Sequence, residues 1–487
     1  MEKTYAADQP NGSLKLLENQ NDPASKKTSN TTMAPPLLPS KRILVVVVLF
    51  LSLVVSQIVR NHINITVVEM TSNKSLVDSN ITIPPEFDWD STRVALVISM
   101  FAYGGLFSFL GGFMVNFFGG SVSCAVFMVI SGITTLLHPY ALNVHFYYFL
   151  ACRFITGLSQ TFLYVSVTEM YSRWFPLQER SKLVSFSFNG SNVGVAIVYP
   201  FSGYVAHRWG WETVFYVTGT LPLIMAVICL LAVKNHPSQD KFISKEEREY
   251  IIQGTDNNKL TKTKHPYNKI MTSRPVWSVC CLSFVYMWIV TNLGVCLPLY
   301  VKDLTQKNTD EIGWISAIPS VVYTLMFPIV GPLMDHFSNR GIMSLTRIHK
   351  IMVTIAFTSA TIFFIASTFL SNFTVTLSFF VVIDILMSTV PLISEIVVVN
   401  VAPDHTSIVA SLMFFFFSLS AILAATVIGL MTSHHTVQEW NNCFYLASIV
   451  AIIGTVIFVK FGSSRAQKWA LSSNVNENRR PSLLVYF

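Results

Sequence analysis

Charge is what this chain has least of. Only 12% of its 487 residues are charged, against 52% hydrophobic, and the mean hydropathy is +0.51. A water-soluble globular protein carries roughly 25% charged residues. Charge this scarce excludes a protein whose whole surface meets water, so most of the surface must meet lipid. Metal and redox spacings are lacking too. The seven cysteines, at 124, 152, 229, 280, 281, 296 and 443, form no CxxC and no Cys/His ligand pattern. They sit in or beside apolar runs and read as small buried hydrophobes, not as a disulfide framework. Phosphate-cradling Gly-rich loops, GxSxG elbows and HExxH are absent, which argues against a pump ATPase, a hydrolase or any other enzyme. No cofactor and no metal are expected. The net charge of +7 does not imply nucleic acid, because Lys and Arg cluster between apolar runs without interleaved exposed aromatics. Such clusters are the mark of cytoplasmic loops in membrane proteins.

Long apolar runs are what the sequence has in abundance. A bilayer core of roughly 30 Å takes about 20 helical residues. Runs of that size fall near 43–68, 93–116, 121–141, 144–168, 183–206, 212–233, 276–300, 313–334, 349–370, 373–398, 406–430 and 440–461. Backbone polar groups must be satisfied within the segment in lipid, so these twelve runs are expected to be helices. The expectation is an all-α membrane protein: a polar tail (1–42) with no signal-peptide core, a six-helix half (43–233), a charged cytoplasmic linker (234–275), a second six-helix half (276–461) and a cytoplasmic tail (462–487). Two such halves suggest an internal repeat with a site between them near the midplane. Gly111–Met114 closing the second run and Gly331–Asp335 closing the eighth are a weak echo of one another.

Orientation follows from Lys and Arg, which crowd the 234–275 linker and the connections after the fourth and eighth runs. All are even-numbered connections, so these are expected to be cytoplasmic. Glycosylation sequons at Asn73, Asn80 and Asn372 fall in odd-numbered connections, on the opposite side, while Asn11 and Asn30 lie in the cytoplasmic tail.

Several segments resemble a known family. They are Arg60–Met70 (RNHINITVVEM), Phe87–Asp90 (FDWD), Arg153–Gly157 (RFITG), Tyr171–Leu183 (YSRWFPLQERSKL), Gly210–Tyr216 (GWETVFY), Val401–Pro403, Gln438–Trp440 and Gln467–Ala470. Across residues 55–470 the chain is similar to the major facilitator superfamily and, within it, to solute carrier family 17: sialin, the vesicular glutamate and nucleotide transporters and the type I phosphate transporters. That resemblance implies the major facilitator fold and a path lined by helices one, four, seven and ten. It implies alternating-access transport of small anions coupled to protons, sodium or membrane potential, in the plasma membrane or a lysosomal or vesicular membrane. A sodium-phosphate carrier, a vesicular amino-acid or nucleotide carrier, and a transport-dead sensor or scaffold on the same fold remain open.

Arg60 and Arg153 both fall where the spans put them in the outer half of the membrane. A charge there costs roughly 2.5–3.5 kcal/mol, and a planar guanidinium suits capture of a carboxylate. Both match arginines of the family and are candidate substrate contacts, with Gln160 and Tyr286 beside them. The acids that sialin-like members place after the helix-four arginine are here Thr156 and Gln160, neither of which titrates. Helix ten instead carries Asp384 and Glu395, which an unbroken helix would place on one face, with Pro391 between them as a potential kink. They are the coupling candidates for a proton or sodium, the alternative being that they neutralise the two arginines. Where the family carries an Asp-Arg latch between helices two and three, this chain reads GGFMVNFFGG (Gly111–Gly120).

Overall fold

The computed structural model describes residues 40–71, 74–75, 82–83, 86–255, 266–305, 309–369, 373–432 and 436–470. Asn11, Asn30, Asn73, Asn80 and Asn372 lie outside them.

The chain forms twelve spanning units in two six-helix halves. The first half comprises α1 (Lys41–Thr71), the bent pair α2 (Ser91–Gly105) and α3 (Ser108–Phe118), α4 (Gly120–Val144), α5 (Phe146–Trp174), the pair α6 (Arg180–Phe188) and α7 (Gly190–Trp209), and α8 (Trp211–Ala232). The linker carries α9 (Lys245–Thr255) and α10 (Tyr267–Met271). The second half comprises α11 (Arg274–Thr305), α12 (Thr309–Asn339), α13 (Leu345–Ser367), the pair α14 (Phe373–Met387) and α15 (Thr389–Val401), α16 (Thr406–Met431) and α17 (Val437–Phe461). A two-residue antiparallel ladder, β1 (Lys74–Ser75) with β2 (Thr82–Ile83), lies in the α1–α2 connection.

Among the described residues eight helices are long and apolar enough to cross a bilayer, nine when α2 and α3, bent by 47°, count as one span. α5 falls short on composition, not length. It is buried along most of its course and carries Arg153, Gln160 and Glu169 inside the protein. α4 shows what a lipid-facing helix looks like: Val126, Val129, Ile130, Ile133 and Leu137 form an exposed apolar stripe at helical spacing.

Three expected spans are irregular. The helix-ten span loses one helical hydrogen bond near Ser388, because Pro391 has no N–H for the carbonyl of Met387, four residues back. The backbone at Ser388 stays helical and Val381–Val401 runs as one span, with Asp384 before the irregularity and Glu395 after it. The fifth span breaks at Asn189. The second bends where its glycines let backbones meet. A Cβ on Gly157 would lie 2.1 Å from the Phe101 carbonyl oxygen, and one on Gly104 2.3 Å from that of Phe154. Only glycine permits α2 and α5 to touch there.

The linker is docked, not loose. Glu247 of α9 accepts hydrogen bonds from Ser40 Oγ (2.6 Å) and from the backbone N–H groups of Lys41 (3.1 Å) and Arg42 (2.9 Å). A carboxylate at the free N–H groups of a helix start is favourable, and α1 accordingly begins two residues before the apolar run. Arg42, fully buried, also pairs with Glu179 at 2.6 Å and Glu247 at 3.3 Å.

Candidate functional site

The close α2–α5 contact builds the centre of the site. Arg153 lies one turn before Gly157 on the same face of α5, so Phe101 is carried against it. The Arg153 guanidinium carbon lies 5.4 Å from the Phe101 ring centroid, and that of Arg60, on α1, lies 5.3 Å from the same ring. Arg153 Nη2 also donates to the Arg60 carbonyl at 3.4 Å. The two expected arginines are thus brought together on one aromatic face. Arg153 is 1% exposed, and its Nε and Nη1 have no hydrogen-bond partner among the described residues. Each unmade bond at a buried polar group costs about 1–3 kcal/mol, more for a charged one.

The two helix-ten acids do not neutralise these arginines. Among the described residues no carboxylate lies within ion-pair distance of Arg60 or Arg153. Asp384, half-buried on α14, lies in the electrostatic neighbourhood of Tyr286 and Tyr323, whose hydroxyls are 3.1 Å apart. Arg60 reaches the same Tyr286 from the other half. Gln160 is buried inside the first half, where its side-chain oxygen accepts from Ser56. Beside it stand two polar residues that the sequence did not single out: Gln57, which donates to Tyr164 (2.8 Å), and Asn61, which donates to Gln57 (2.8 Å). Their position one turn apart along α1 next to Arg60 was a usable signal.

Glu395 is elsewhere, at the linker end of the interface between halves. Its Oε2 accepts from Thr168 of α5 at 2.7 Å. Two more carboxylates work beside it in a reciprocal way. Glu169 of α5 accepts from the Ser407 N–H in the first turn of α16 (3.0 Å) and holds Arg173 at 3.0 Å. Asp335 of α12 accepts from the Lys182 N–H in the first turn of α6 at 2.7 Å. Each half thus plants an acid on a helix N-terminus of the other. Arg180 with Asn400, and Ser108 Oγ with the Ser411 carbonyl at 2.9 Å, complete the seam. The hydrogen bonds recorded between halves among the described residues all lie toward this end.

The eroded α3–α4 connection keeps its turn without its charges. Gly119 sits at φ +85°, where a side chain is disfavoured. Asn235 clamps the turn: its Oδ1 accepts from Ser121 N–H at 2.8 Å and its Nδ2 donates to the Phe118 carbonyl at 3.2 Å.

Paired six-helix halves that meet through reciprocal acids at one end match a known architecture. The sequence model of the Major Facilitator Superfamily matches residues 49–358 and again 279–484. The chain belongs to the Major Facilitator Superfamily. It is a multi-pass membrane transporter and not an enzyme. Among this superfamily's curated members, zebrafish (Danio rerio) vesicular glutamate transporter 3 is 27% identical over 96% of this chain and 80% of its own length. Human (Homo sapiens) sialin is 24% identical over 94% of this chain and 98% of its own. Both are proteins of solute carrier family 17, the family that the sequence motifs resemble. The solved proton:xylose symporter XylE shares the fold with a TM-score of 0.67 and 14% identity, covering 87% of this chain and 97% of its own. The fucose transporter FucP, solved in the outward conformation, gives 0.61 at 13% identity, covering 84% and 97%.

Proposed function

We propose that this transporter carries a small organic anion by alternating access, the anion docking on Arg153 and Arg60. The observation that carries this reading is Arg153: a buried guanidinium beside a second one, with two nitrogens unpartnered and no acid within ion-pair distance among the described residues. A fork of N–H donors held away from water is complementary to a carboxylate or phosphate and to little else. Sialin and the vesicular glutamate transporters are named for such cargo, which supports the same reading. Tyr286, within electrostatic reach of Arg60, and Gln160, two turns along α5 from Arg153, are the residues we assign to the cargo's far end. Asp384, on the other half and facing Tyr286, is the coupling candidate for a co-transported ion. Glu395 serves the seam at the linker end.

We place the linker end in the cytoplasm, from its Lys and Arg, with Asn73, Asn80 and Asn372 on the opposite side. The transport-dead alternative rested on Thr156, Gln160 and the missing latch charges; the cross-half bonds of Glu169 and Asp335 support a working gate against it.

The test is uptake into proteoliposomes of radiolabelled L-glutamate, sialic acid and inorganic phosphate, each under imposed proton, sodium and voltage gradients. Uptake of one anion, lost in Arg153→Lys, is the expected result. Failure of every anion to enter or exchange, in protein shown to be folded, sinks the reading.

A further inference from the structure

Two groups beside Arg153 are used by nothing described so far. His62 of α1 and His138 of α4 are fully buried on either side of Phe215 of α8. The His62 ring meets Phe215 edge-on at 4.8 Å, and His138 stacks on it at 5.4 Å. His62 Nδ1 faces the Ile58 carbonyl at 3.2 Å, which assigns the proton to that nitrogen and leaves Nε2 as the basic one. Among the described residues His62 Nε2 and both nitrogens of His138 have no hydrogen-bond partner, and neither have Nε and Nη1 of Arg153. Both imidazoles lie within electrostatic reach of that guanidinium and His138 within reach of His62.

Among the described residues no carboxylate is recorded in contact with either ring. α8 presents Phe215 and Trp211 to them, and α5 presents Phe149 5.1 Å from His138. α2 presents Phe101 to Arg153. Arg60 stands two residues from His62 on α1. Glu86, in the α1–α2 connection, gives its carboxylate to the Trp211 indole N–H at 2.8 Å. Two histidines serving as plain aromatic packing would be as well placed as phenylalanines, without buried nitrogens left unpaired.

We infer that the His62–His138 pair takes up the proton that enters with the anion. The step rests on the anion reading above. The anion brings a negative charge to Arg153, and one proton from the same aqueous side binds a basic ring nitrogen, His62 Nε2 or its counterpart on His138. The loaded pocket then carries the same net charge as the unloaded one. A sealed cluster that keeps its charge constant avoids the cost of burying an extra one. When the anion leaves on the other side, the ring releases its proton there. This gives α5 the titratable partner that Thr156 and Gln160 do not provide.

The experiment uses purified full-length protein, with radiolabelled L-glutamate and sialic acid as probes. Equilibrium binding is measured from about pH 5 to 8, and proton uptake is followed with a pH dye. One linked proton makes affinity rise about tenfold per pH unit of acidification, until the ring is protonated in the free protein too. The parent is expected to show that slope and to take up a proton with each anion. His62→Asn with His138→Gln is expected to flatten the slope and abolish the uptake. The single variants, each expected to reduce proton uptake, decide the matter if the double variant does not fold. Anion binding with the parent's slope in the folded histidine variants overturns this assignment alone. Absence of binding by either probe in the folded parent, together with failed anion uptake in proteoliposomes, overturns the anion reading and this inference with it.

Discussion

The two ends of the interface between the halves treat buried polar groups in opposite ways. At the linker end Glu169, Asp335, Glu395 and Arg180 are each matched to a partner in the other half. Around Arg153, toward the opposite end, a guanidinium and two imidazoles are buried with nitrogens unmatched. Both arrangements remove polar atoms from water, and only the first satisfies them. A seam whose bonds are complete holds a conformation. A cluster whose bonds are incomplete reserves its binding energy for something that arrives. The difference separates a gate from a site without reference to any relative.

The largest effect is expected at the unsatisfied cluster. Arg153→Lys keeps the charge and loses the planar fork, so transport should fall by about tenfold or more, the worth of one charge-assisted hydrogen bond of ~1.5 kcal/mol. Arg153→Leu should abolish transport and leave the thermal midpoint of the detergent-solubilised protein unchanged or raised, because an unpaired buried charge costs stability. A collapse of folding in both variants would place Arg153 with the seam and erase the contrast.

Asp384→Asn should come next. Anion accumulation driven by an imposed ion gradient is expected to disappear, while exchange of labelled for unlabelled anion, which needs no net ion movement, continues. Accumulation equal to the parent's would remove Asp384 from the coupling. Sodium or voltage would become the energy source if no proton gradient drives the parent.

A smaller effect is expected at the seam. Glu169→Gln removes a full charge from the first turn of α16 and from Arg173. The loss is about 1 kcal/mol, an approximately fivefold shift toward the state open at the linker end. Thiol labelling of Thr168→Cys should report it as faster modification. Unchanged labelling would mean that Asp335 and Glu395 hold the gate without Glu169.

The fold was legible because lipid imposes a length and a composition that α1, α4, α8 and α17 obey in plain sequence. Arg60 and Arg153 were legible as charges with no reason to be in an apolar run, and their meeting on Phe101 depends on a Gly104–Gly157 backbone contact that no periodicity reports. Asp384 and Glu395 share an 11-residue spacing along one span, but roughly 16 Å of helix rise separates them, which puts one beside Tyr286 and the other at the seam. His62 and His138 were passed over since a lone histidine in an apolar run usually packs; only their common neighbours, Phe215 and Arg153, set them apart. Glu169 meets Arg173 one turn away, a pairing the spacing allows, but its bond to Ser407 spans 238 residues and leaves no local trace.

The smallest effect is a change of mass with no change of activity, and it decides which way the contrast faces. The linker end is cytoplasmic on the distribution of Lys and Arg, so the satisfied seam closes the cytoplasmic side and the arginines lie nearer the lumen or exterior. Glycans are added only on that far side. Asn73, Asn80 and Asn372 should therefore carry sugar in protein made in mammalian cells, and Asn11 and Asn30 should not. Mass spectrometry after glycosidase digestion in heavy-oxygen water marks each occupied Asn as a labelled Asp. Replacing the three acceptors with Gln should remove the sugar and leave transport within about twofold, since exposed substitutions away from structural features usually stay within about 0.5 kcal/mol. Sugar on Asn30, or protease cleavage of the 234–275 linker from outside intact cells, would invert the orientation. The seam would then close the exterior, and Arg153 would meet its anion from the cytoplasm.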